Sequence, residues 1–347
     1  MGSPPASVKL RQPAGLSALA TSYSPFFSGR GGVFLRQPPH FLKKLCCISA
    51  GCRYNPCCKN CSTDSNLPKN PNELFYLYPM ICFPNAKINL GLRILSKRED
   101  GFHNIETIIY PVPLRDALEF LPAKSFQITI SGFPLERQIK DNLIYKAWTL
   151  LSENFNLPPL RVHLHKAIPT TSGLGGGSAD AAFFLRELNA YFNLNISIDK
   201  LKKLAGQLGS DCPFFIENRA VLASGRGEIF QTVDVSLRGK YILLTKPAVS
   251  ISTPYAYSLV KPTRPETPLT RVISQPIKQW KYLLQNDFEA QLFKMNPEIE
   301  VLKNKMYSLG AVYASMSGSG SAVFGIFDKP PILKNIEPNH YFWGKNL

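Results

Sequence analysis

The segment IPTTSGLGGGSADAAFF, residues 168–184, combines a run of glycines with the start of an alanine-rich apolar stretch. Glycine leaves backbone N–H groups accessible, and the first turn of a helix adds N–H donors that have no partner within the helix. The positive end of the helix dipole lies at the same place. These features are typical of a phosphate site. A flexible glycine turn that binds no ligand is the alternative.

Residues 169–178 of this segment, called the glycine loop from here on, differ from two common phosphate-binding loops. No G-K-[ST] follows it, and it lacks the G-x-G-x-x-G register and the downstream acid of a dinucleotide site. We expect glycine at positions 173, 175, 176 and 177 because side chains there would hold a triphosphate away from the backbone. The helix is expected to begin near Ser178, whose hydroxyl would cap the helix or reach a phosphate or its metal ion.

Charged side chains that could act on a phosphate lie in two other segments. In FPNAKINLGLRIL, residues 83–95, apolar and polar residues alternate, so Lys87 and Asn89 share one face of a half-buried strand. That face is either solvated or part of a site. Asp211 follows a predicted helix end, where it could accept a proton or only cap a short helix opened by Pro213. Cys212 beside it is expected to be a small buried apolar residue.

The elements that would position these residues can be predicted from the pattern of apolar residues. Strands are expected at 126–132, 161–166, 220–224, 228–233 and 241–246. Helices are expected at 141–155, at 178–192 and through Leu201, Leu204 and Leu208, where Gly209 ends the helix. Because strands and helices interleave without a regular βαβ rhythm, the predicted class is α+β.

Composition limits the functional classes. The chain has 347 residues, of which 44% are apolar, so it can form a sizeable core and is expected to have two lobes. No window approaches eighteen consecutive apolar residues, which argues against a membrane span. The net charge is +16 but forms no dense basic block, and neither an RNP-like aromatic pattern nor a zinc-finger spacing occurs in the larger part. A small polyanionic partner is therefore favoured over nucleic acid or membrane.

Residues 1–79 differ from the rest of the chain. They hold nine Lys or Arg against two acids, and they lack a sustained apolar period, so we expect a disordered or dispensable leader, with an organelle transit peptide as the second interpretation. Six of the eight cysteines fall between Cys46 and Cys61. A C-x-x-C pair there permits a zinc knuckle, but no second pair completes the site. The body is otherwise typical of a reducing compartment.

Three segments resemble, in this order, the three motifs of the GHMP small-molecule kinases: PNAKINLGL at 84–92, PTTSGLGGGSADAA at 169–182 and SMSGSGSAVFGIF at 315–327. Four more are similar to the branch that phosphorylates a cytidine diphosphate derivative of methylerythritol in the non-mevalonate isoprenoid pathway: DGFHNIET at 100–107, DNLIYKA at 141–147, LGSDCPFF at 208–215 and SISTPYAY at 250–257. The resemblance covers essentially residues 80–347. Phe102 stands where that branch often has Tyr, which removes a hydroxyl but keeps the ring.

The resemblance implies roles for individual residues. Asp211 would be the general base, and Lys87 would stabilise charge on the attacking oxygen and the transferred phosphoryl group. The residues assigned to ATP are Asn142, Pro169, Gly173, Leu174, Gly175, Gly176, Gly177 and Ser178. Those assigned to the alcohol substrate are Asn89, Phe102, His103, Thr253 and Tyr257. His103, in a turn, would contact the edge of cytosine, with Asn89 and Phe102 nearby, and Tyr257, after a Thr253-Pro254 turn, would stack on the base.

Each role has a simpler alternative. Asn142 could only cap a helix, His103 could be an ordinary loop histidine, and Tyr257 could pack in the core. The second glycine loop, residues 316–322, could be a tight hairpin. The resemblance instead implies that it lies over the active site and supports the glycine loop and the substrate.

The implied architecture is a two-lobed α+β GHMP kinase fold, with an N-terminal lobe at 80–235, a C-terminal lobe at 236–347 and ATP between them. Mg²⁺ would bind mainly through the nucleotide, since no acidic cluster predicts an all-protein metal site. The expected location is the bacterial cytoplasm, or a plastid if residues 1–79 are a transit peptide. The oligomeric state is left open. Rival hypotheses are a kinase for mevalonate or homoserine, a catalytically silent protein of this fold, and a zinc adaptor fused to a kinase.

Overall fold

The computed structural model describes residues 79–135, 138–263, 265–333 and 340–347. These residues belong to one compact unit that spans 68–347. The predictions for the leader at 1–79, Pro79 excepted, and for the cysteines from Cys46 to Cys61 lie outside the described residues. The chain is a mixture of strands and helices, as the α+β prediction states.

The strands of the described residues are, in chain order, β1 (Met80–Cys82), β2 (Asn85–Lys97), β3 (His103–Arg115), β4 (Ala117–Pro122), β5 (Gln127–Gly132), β6 (Leu160–Lys166), β7 (Val221–Ser224), β8 (Ile229–Thr232), β9 (Tyr241–Lys246), β10 (Tyr313–Met316), β11 (Val323–Phe327) and β12 (Tyr341–Asn346). Their helices are α1 (Leu143–Phe155), α2 (Gly176–Tyr191), α3 (Ile198–Leu208), α4 (Cys212–Glu217), α5 (Thr253–Leu259), α6 (Leu269–Ile273), α7 (Ile277–Leu283), α8 (Glu289–Met295) and α9 (Pro297–Ser308). A single 3₁₀ turn, Ile139–Asp141, precedes α1.

The first sheet has the strand order β1-β4-β6-β5. Only β5 and β6 run parallel in it, and parallel neighbours need a crossover, which α1 supplies. Along β6 the side chains alternate strictly between buried and exposed, so one face of the sheet carries apolar residues. Helices α1 to α4 cover that face and form a core with residues such as Phe120, Leu160 and Phe184.

The second sheet, β2-β3-β7-β8, carries Lys87. β2 bulges at Gly91, where φ is +70°, and a Cβ there would lie 2.6 Å from Leu284 Cδ1. Glycine therefore allows the segment after α7 to approach the strand. Leu92 exchanges two backbone hydrogen bonds of 2.9 Å with that segment, through Gln285 and Asp287. This contact fixes Asn286, whose role is described below.

The third sheet, β10-β11-β9-β12, comes wholly from residues after 236, whereas the first two come wholly from residues before it. One core cluster nevertheless includes residues from both parts, among them Ile88, Ile108, Leu244 and Phe324. The apolar interior is therefore continuous across position 236. The boundary between two lobes stays a prediction.

Candidate active site

A cleft of about 1310 Å³ is lined by Lys87, Asp211, most of the glycine loop and the turn at 318–320. Pockets for a single small molecule commonly measure about 300–1,000 Å³, so this cleft has room for two ligands side by side. The residues that the sequence assigns to ATP and those that it assigns to the alcohol fall on its walls, with the exception of Leu174.

Lys87 and Asp211 meet at the wall of the cleft. Lys87 is 4% exposed, and its Nζ lies 3.4 Å from Asp211 Oδ2, while the Asp211 side chain is 40% exposed. Asp211 directly precedes α4, yet its carboxylate makes no capping hydrogen bond. The carboxylate thus faces the lysine and the cleft, where an incoming hydroxyl could reach it.

A chain of hydrogen bonds orients Lys87. Its Nζ donates to Asn89 Oδ1 at 2.6 Å, Asn89 Nδ2 donates to Thr107 Oγ1 at 3.0 Å, and Thr107 Oγ1 donates to the carbonyl of Gly91 at 2.5 Å. All three side chains are buried. The sequence prediction placed Asn89 near the cytosine with His103, whereas the hydrogen bonds of its side chain go to Lys87 and Thr107. Thr107, on the neighbouring strand, was missed because strand pairing is not visible in one sequence.

The glycine loop is fastened to two other elements. The amide of Lys87 donates to the carbonyl of Leu174 at 2.9 Å, which joins the loop to β2. Ser317 Oγ donates to the carbonyl of Gly173 at 2.9 Å, which joins it to the second glycine loop. At Gly173, φ is +74° and a Cβ would lie 2.0 Å from the carbonyl oxygen of Ser317, so glycine is required for this backbone contact.

The remaining glycines serve different purposes. Gly175, with φ of +73°, is the N-cap of α2, so the helix starts at Gly176 and not near Ser178 as predicted. Ser178 is therefore inside the first turn and is not the cap. The start of the helix was predicted too late because glycine is a poor helix former. At Gly177 a Cβ would meet only Leu143 Cδ1, at 3.9 Å, so the backbone there is open to the cleft.

Three other residues assigned to ATP are placed in different ways. Pro169 lines the cleft, and its carbonyl accepts a hydrogen bond of 2.6 Å from Ser172 Oγ. The side chain of Leu174 is 1% exposed and lies in the core, so only its backbone is part of the loop. Asn142 caps α1 by accepting from the amide of Ile144 at 2.9 Å, and it also lines the cleft.

The second glycine loop lies against the glycine loop, and Gly318, Ser319 and Gly320 line the cleft. Asn286 Nδ2 donates to the carbonyls of Met316 and Gly318, at 2.9 Å each. No local motif marks Asn286, which is buried and thirty positions away from the loop that it supports.

Aromatic side chains line another part of the cleft. His103 and Tyr257 stack with ring centroids 5.0 Å apart, and Tyr257 meets Phe288 edge-on. Burial, with a smaller effect of Lys97, lowers the pKa of His103, which favours the neutral ring at pH 7. Burial also raises the pKa of Tyr257 to about 12, with a further contribution from Asp211. Phe102, which is 52% exposed, lies outside this stacked pair.

Two predicted turns are in fact parts of regular elements. His103 begins β3, and Thr253 and Pro254 form the first turn of α5 after the cap Ser252. Pro fits this position because a first-turn residue needs no hydrogen-bonding N–H. Thr253 Oγ1 lies 3.1 Å from Ser319 Oγ, so α5 contacts the second glycine loop.

A buried ionic cluster below the glycine loop was also missed. Lys166 Nζ contacts Asp116 Oδ2 and lies 2.6 Å from Asp180 Oδ2, and the other oxygen of Asp116 accepts from the amides of Ala167 and Ile168. Within the described part of the chain, Asp180 Oδ1 has no hydrogen-bond partner. Burial raises the pKa of Asp180 to about 7 despite the opposing effect of Lys166, and Asp116 raises it further.

Cys212, next to Asp211, is fully buried, and burial raises the pKa of its thiol to about 12, which suits an apolar packing residue. No group of three or more His, Cys, Asp or Glu in the described ranges could hold a metal ion. None of the helices described here is both long and apolar enough to cross a membrane.

Comparisons with known proteins agree with this geometry. The family "GHMP kinases N terminal domain" matches residues 142–219, and "GHMP kinases C terminal" matches 275–337. The 4-diphosphocytidyl-2-C-methyl-D-erythritol kinase of Parabacteroides distasonis is 52% identical over 255 residues, which cover 74% of this chain and 94% of that protein. The chain belongs to the GHMP kinase family.

Two further relatives carry the same activity in their names. The 4-diphosphocytidyl-2-C-methyl-D-erythritol kinase of Bacteroides fragilis is 50% identical, over 72% of this chain and 92% of its own. A crystal structure of 4-(cytidine 5'-diphospho)-2C-methyl-D-erythritol kinase superposes with a TM-score of 0.62 at 33% identity, over 71% of this chain and 90% of that one. The GHMP kinase assignment and the two-domain α+β fold that the sequence predicted are thereby confirmed.

Proposed function

We infer that this GHMP kinase transfers the γ-phosphoryl group of ATP to a hydroxyl of 4-diphosphocytidyl-2-C-methyl-D-erythritol. The observation that carries the proposal is the Lys87–Asp211 pair, 3.4 Å apart, in one cleft with a glycine loop and the Phe102, His103 and Tyr257 rings. The names of the relatives supply the substrate.

The reaction needs little covalent help from the protein. Phosphoryl transfer depends on positioning, on charge stabilisation and on a group that takes the hydroxyl proton. Asp211 accepts that proton, since its carboxylate is exposed to the cleft. Lys87 Nζ stabilises the negative charge on the transferred group, and its hydrogen bond to Asn89 fixes its position.

The nucleotide lies along the glycine loop. Backbone N–H groups of the open turn at Gly177 and the positive end of α2 bind the phosphates, and the hydroxyl of Ser178 is within the same turn. Asn142 contributes to the adenine site through its amide group, which keeps its Nδ2 donor after capping α1.

Mg²⁺ fits this donor set only as a companion of the nucleotide. Since the described residues offer no acidic group of ligands, the phosphates would supply most of its ligands. When bound, the ion would neutralise charge on the phosphates.

Cytosine recognition belongs to the aromatic region. Neutral His103 can donate and accept a hydrogen bond at the base edge, and Phe102 and Tyr257 offer ring faces.

We place the enzyme in a reducing compartment, the cytoplasm or a plastid, because Cys82 and Cys212 are free and buried.

An assay of ADP release tests the proposal. Purified protein should turn over 4-diphosphocytidyl-2-C-methyl-D-erythritol with a far higher kcat/KM than mevalonate or homoserine, because polar groups meant for cytosine stay unpaired without it. Comparable turnover of mevalonate or homoserine would contradict the substrate. Absence of ADP release with all three alcohols would contradict the activity.

A further inference from the structure

Four cationic side chains line the cleft: Lys87, Lys97, Lys166 and Arg226. Two of them are already paired within the protein. Lys87 is held by Asn89 and Asp211, and Lys166 is held by two buried aspartates. Both are almost inaccessible to solvent. Because each already has an acidic partner in the protein, neither charge depends on a ligand for compensation. Lys97 and Arg226 are the cations that remain available.

Arg226 is held in place by its turn. It lies between Gly225 and Gly227, both with positive φ, in the hairpin that joins β7 and β8. The carbonyl of Gly225 accepts a hydrogen bond of 2.7 Å from the amide of Ile105, near the start of β3. The turn is thereby joined to the part of the chain that carries Phe102 and His103.

The guanidinium group of Arg226 lies over the Phe102 ring, 5.1 Å from its centroid. Its one ionic partner in the described part of the chain is Glu228, with Nε and Oε1 3.6 Å apart. The other oxygen of that carboxylate already accepts from the backbone amide of Arg226, at 2.6 Å. Within the same part of the chain, the guanidinium donates no hydrogen bond, so its N–H groups are free to bind a ligand.

The simplest alternative is that Arg226 forms only a surface ion pair with Glu228. The two side chains are 41% and 33% exposed, and such pairs contribute little to stability. A pair of this kind gives no reason for the guanidinium to lie on a ring that lines the cleft. A planar guanidinium on a ring is well suited to bind an oxyanion while the ring binds a base.

We propose that Arg226 binds the diphosphate of the nucleoside diphosphate substrate, with Lys97 as a second cation. Lys97 pairs with His103 across β2 and β3, so both cations lie beside the region proposed for the base. The proposal rests on the proposed function, since it assigns the charged middle of that substrate to particular residues. Of the two cations, Arg226 has only the long contact with Glu228, and Lys97 has no ion pair within the described residues.

Calorimetric binding of CDP and of cytidine to the full chain tests this role, with the ATP site saturated by a non-hydrolysable ATP analogue. Arg226→Gln should weaken CDP roughly 10- to 100-fold, the loss expected for hydrogen bonds to a charged group, and cytidine less than about 3-fold. Arg226→Lys should fall between the two because it keeps the charge but not the fork. Arg219→Gln is the matched control, since Arg219 pairs with Glu217 and does not line the cleft.

The outcomes separate this inference from the function. Equal CDP affinity in the parent and in Arg226→Gln would overturn the role of Arg226, even if turnover of the cytidine substrate stood. An equal loss of CDP and cytidine would also overturn it, because the change would then act on the base. A parent protein that binds neither CDP nor cytidine would overturn the inference together with the proposed substrate.

Discussion

At the scale of single residues, the site depends on the separation of two charged groups that differ in burial. Lys87 is enclosed and held by Asn89, whereas Asp211 keeps access to the cleft. A buried ammonium with one anionic neighbour has little freedom to move, so it can stabilise charge without reorganising. The accessible carboxylate can meet a substrate hydroxyl. The difference in burial therefore matches the difference between the two proposed roles.

Asp211→Asn should lower kcat roughly 10²-fold or more, because it removes the proton acceptor and keeps the shape of the side chain. The affinity for ATP should stay nearly constant, since the glycine loop is not changed. Steady-state kinetics and nucleotide titration would measure both. Asp199→Asn, at an exposed carboxylate, serves as the control. A kcat within a few-fold of the parent would show that Asp211 is not the base.

Tyr257→Ala should raise the KM for the cytidine substrate by the equivalent of about 1–3 kcal/mol, the usual contribution of a base stacked on an aromatic ring. The KM for ATP should barely change. Tyr257→Phe should behave like the parent, because the Tyr257 hydroxyl has no hydrogen bond within the described residues and the ring is kept. If the alanine variant weakened ATP and substrate alike, the ring would act through packing on Phe288.

At the scale of elements, the conformation of the glycine loop depends on hydrogen bonds that join three segments of the chain. Its carbonyls accept from Lys87 on β2 and from Ser317 in the second glycine loop, while Asn286 holds that second loop from below. Each of these hydrogen bonds joins residues that are far apart along the chain. A change in one segment should therefore affect the other two.

Gly173→Ala should lower the free energy of unfolding and raise the KM for ATP. The left-handed backbone costs about 1–2 kcal/mol for a residue with a Cβ, and the clash with Ser317 adds to this. Gly239→Ala is the matched control, with φ of +81° and no atom within 4 Å of its Cβ. Urea unfolding and kinetics of both variants measure the difference. Equal effects of the two substitutions would show that the contact with Ser317 is unimportant.

The cluster below the loop predicts a pH dependence. The pKa of Asp180 is raised to about 7 by burial, so the folded protein keeps a proton that the unfolded chain loses near pH 4. The unfolded state binds fewer protons between these values, and this group therefore makes stability fall as pH rises from about 4 to about 7. Asp180→Asn should flatten that part of the profile, as measured by urea unfolding at several pH values. Asp199→Asn, at an exposed carboxylate, is the control. If the free energy of unfolding depended on pH in Asp180→Asn as it does in the parent and in Asp199→Asn, the prediction would be wrong.

Local sequence patterns predicted some elements and not others. Strands β6 and β9 follow the apolar pattern to within a residue, since alternation and apolar runs are local properties. The start of α2 was placed two residues late because Gly176 and Gly177 are unfavourable in helices. The short helices α6 to α8 were not predicted, since five to seven residues are too few to establish a helical period.

Residues of the candidate site likewise divide into those that a local motif marks and those that only the fold brings together. The glycine loop, Lys87 and Asp211 could be singled out because each segment carries its own motif, and the structure brings them to one cleft, while their roles stay predictions. Asp116 and Lys166 are fifty positions apart, and Asn286 supports a loop thirty positions away, so only the fold brings them together. Arg226 lacked a signal because an arginine between glycines is typical of any exposed turn.

At the scale of the whole molecule, the first described strand is already part of the core. β1 pairs with β4, and Met80 packs against the core formed by the first sheet and its helices. Apolar residues from both sides of position 236 share one cluster. The unit can therefore be expected to fold as a whole, and the two halves to unfold together.

A chain that begins at Met80 should fold cooperatively and keep its kcat, because the core clusters of the described residues are built from β1 onward. Thermal unfolding and the ADP-release assay, each compared with the full chain, measure this. Lost cooperativity or a large loss of turnover in the shortened chain would make residues 1–79 part of the working domain. Bound zinc measured on the full chain would test the separate prediction for the Cys46–Cys61 segment.

The hydrogen bond from the amide of Lys87 to the carbonyl of Leu174 has a practical consequence. This amide lies between β2 and the glycine loop, so its proton can exchange with solvent deuterium only when the loop separates from the strand. When closing is faster than chemical exchange, its exchange rate therefore reports the equilibrium between the closed and the open form of this contact. A single backbone signal, at the residue proposed to stabilise the transferred group, would thus report how firmly the glycine loop is held to β2.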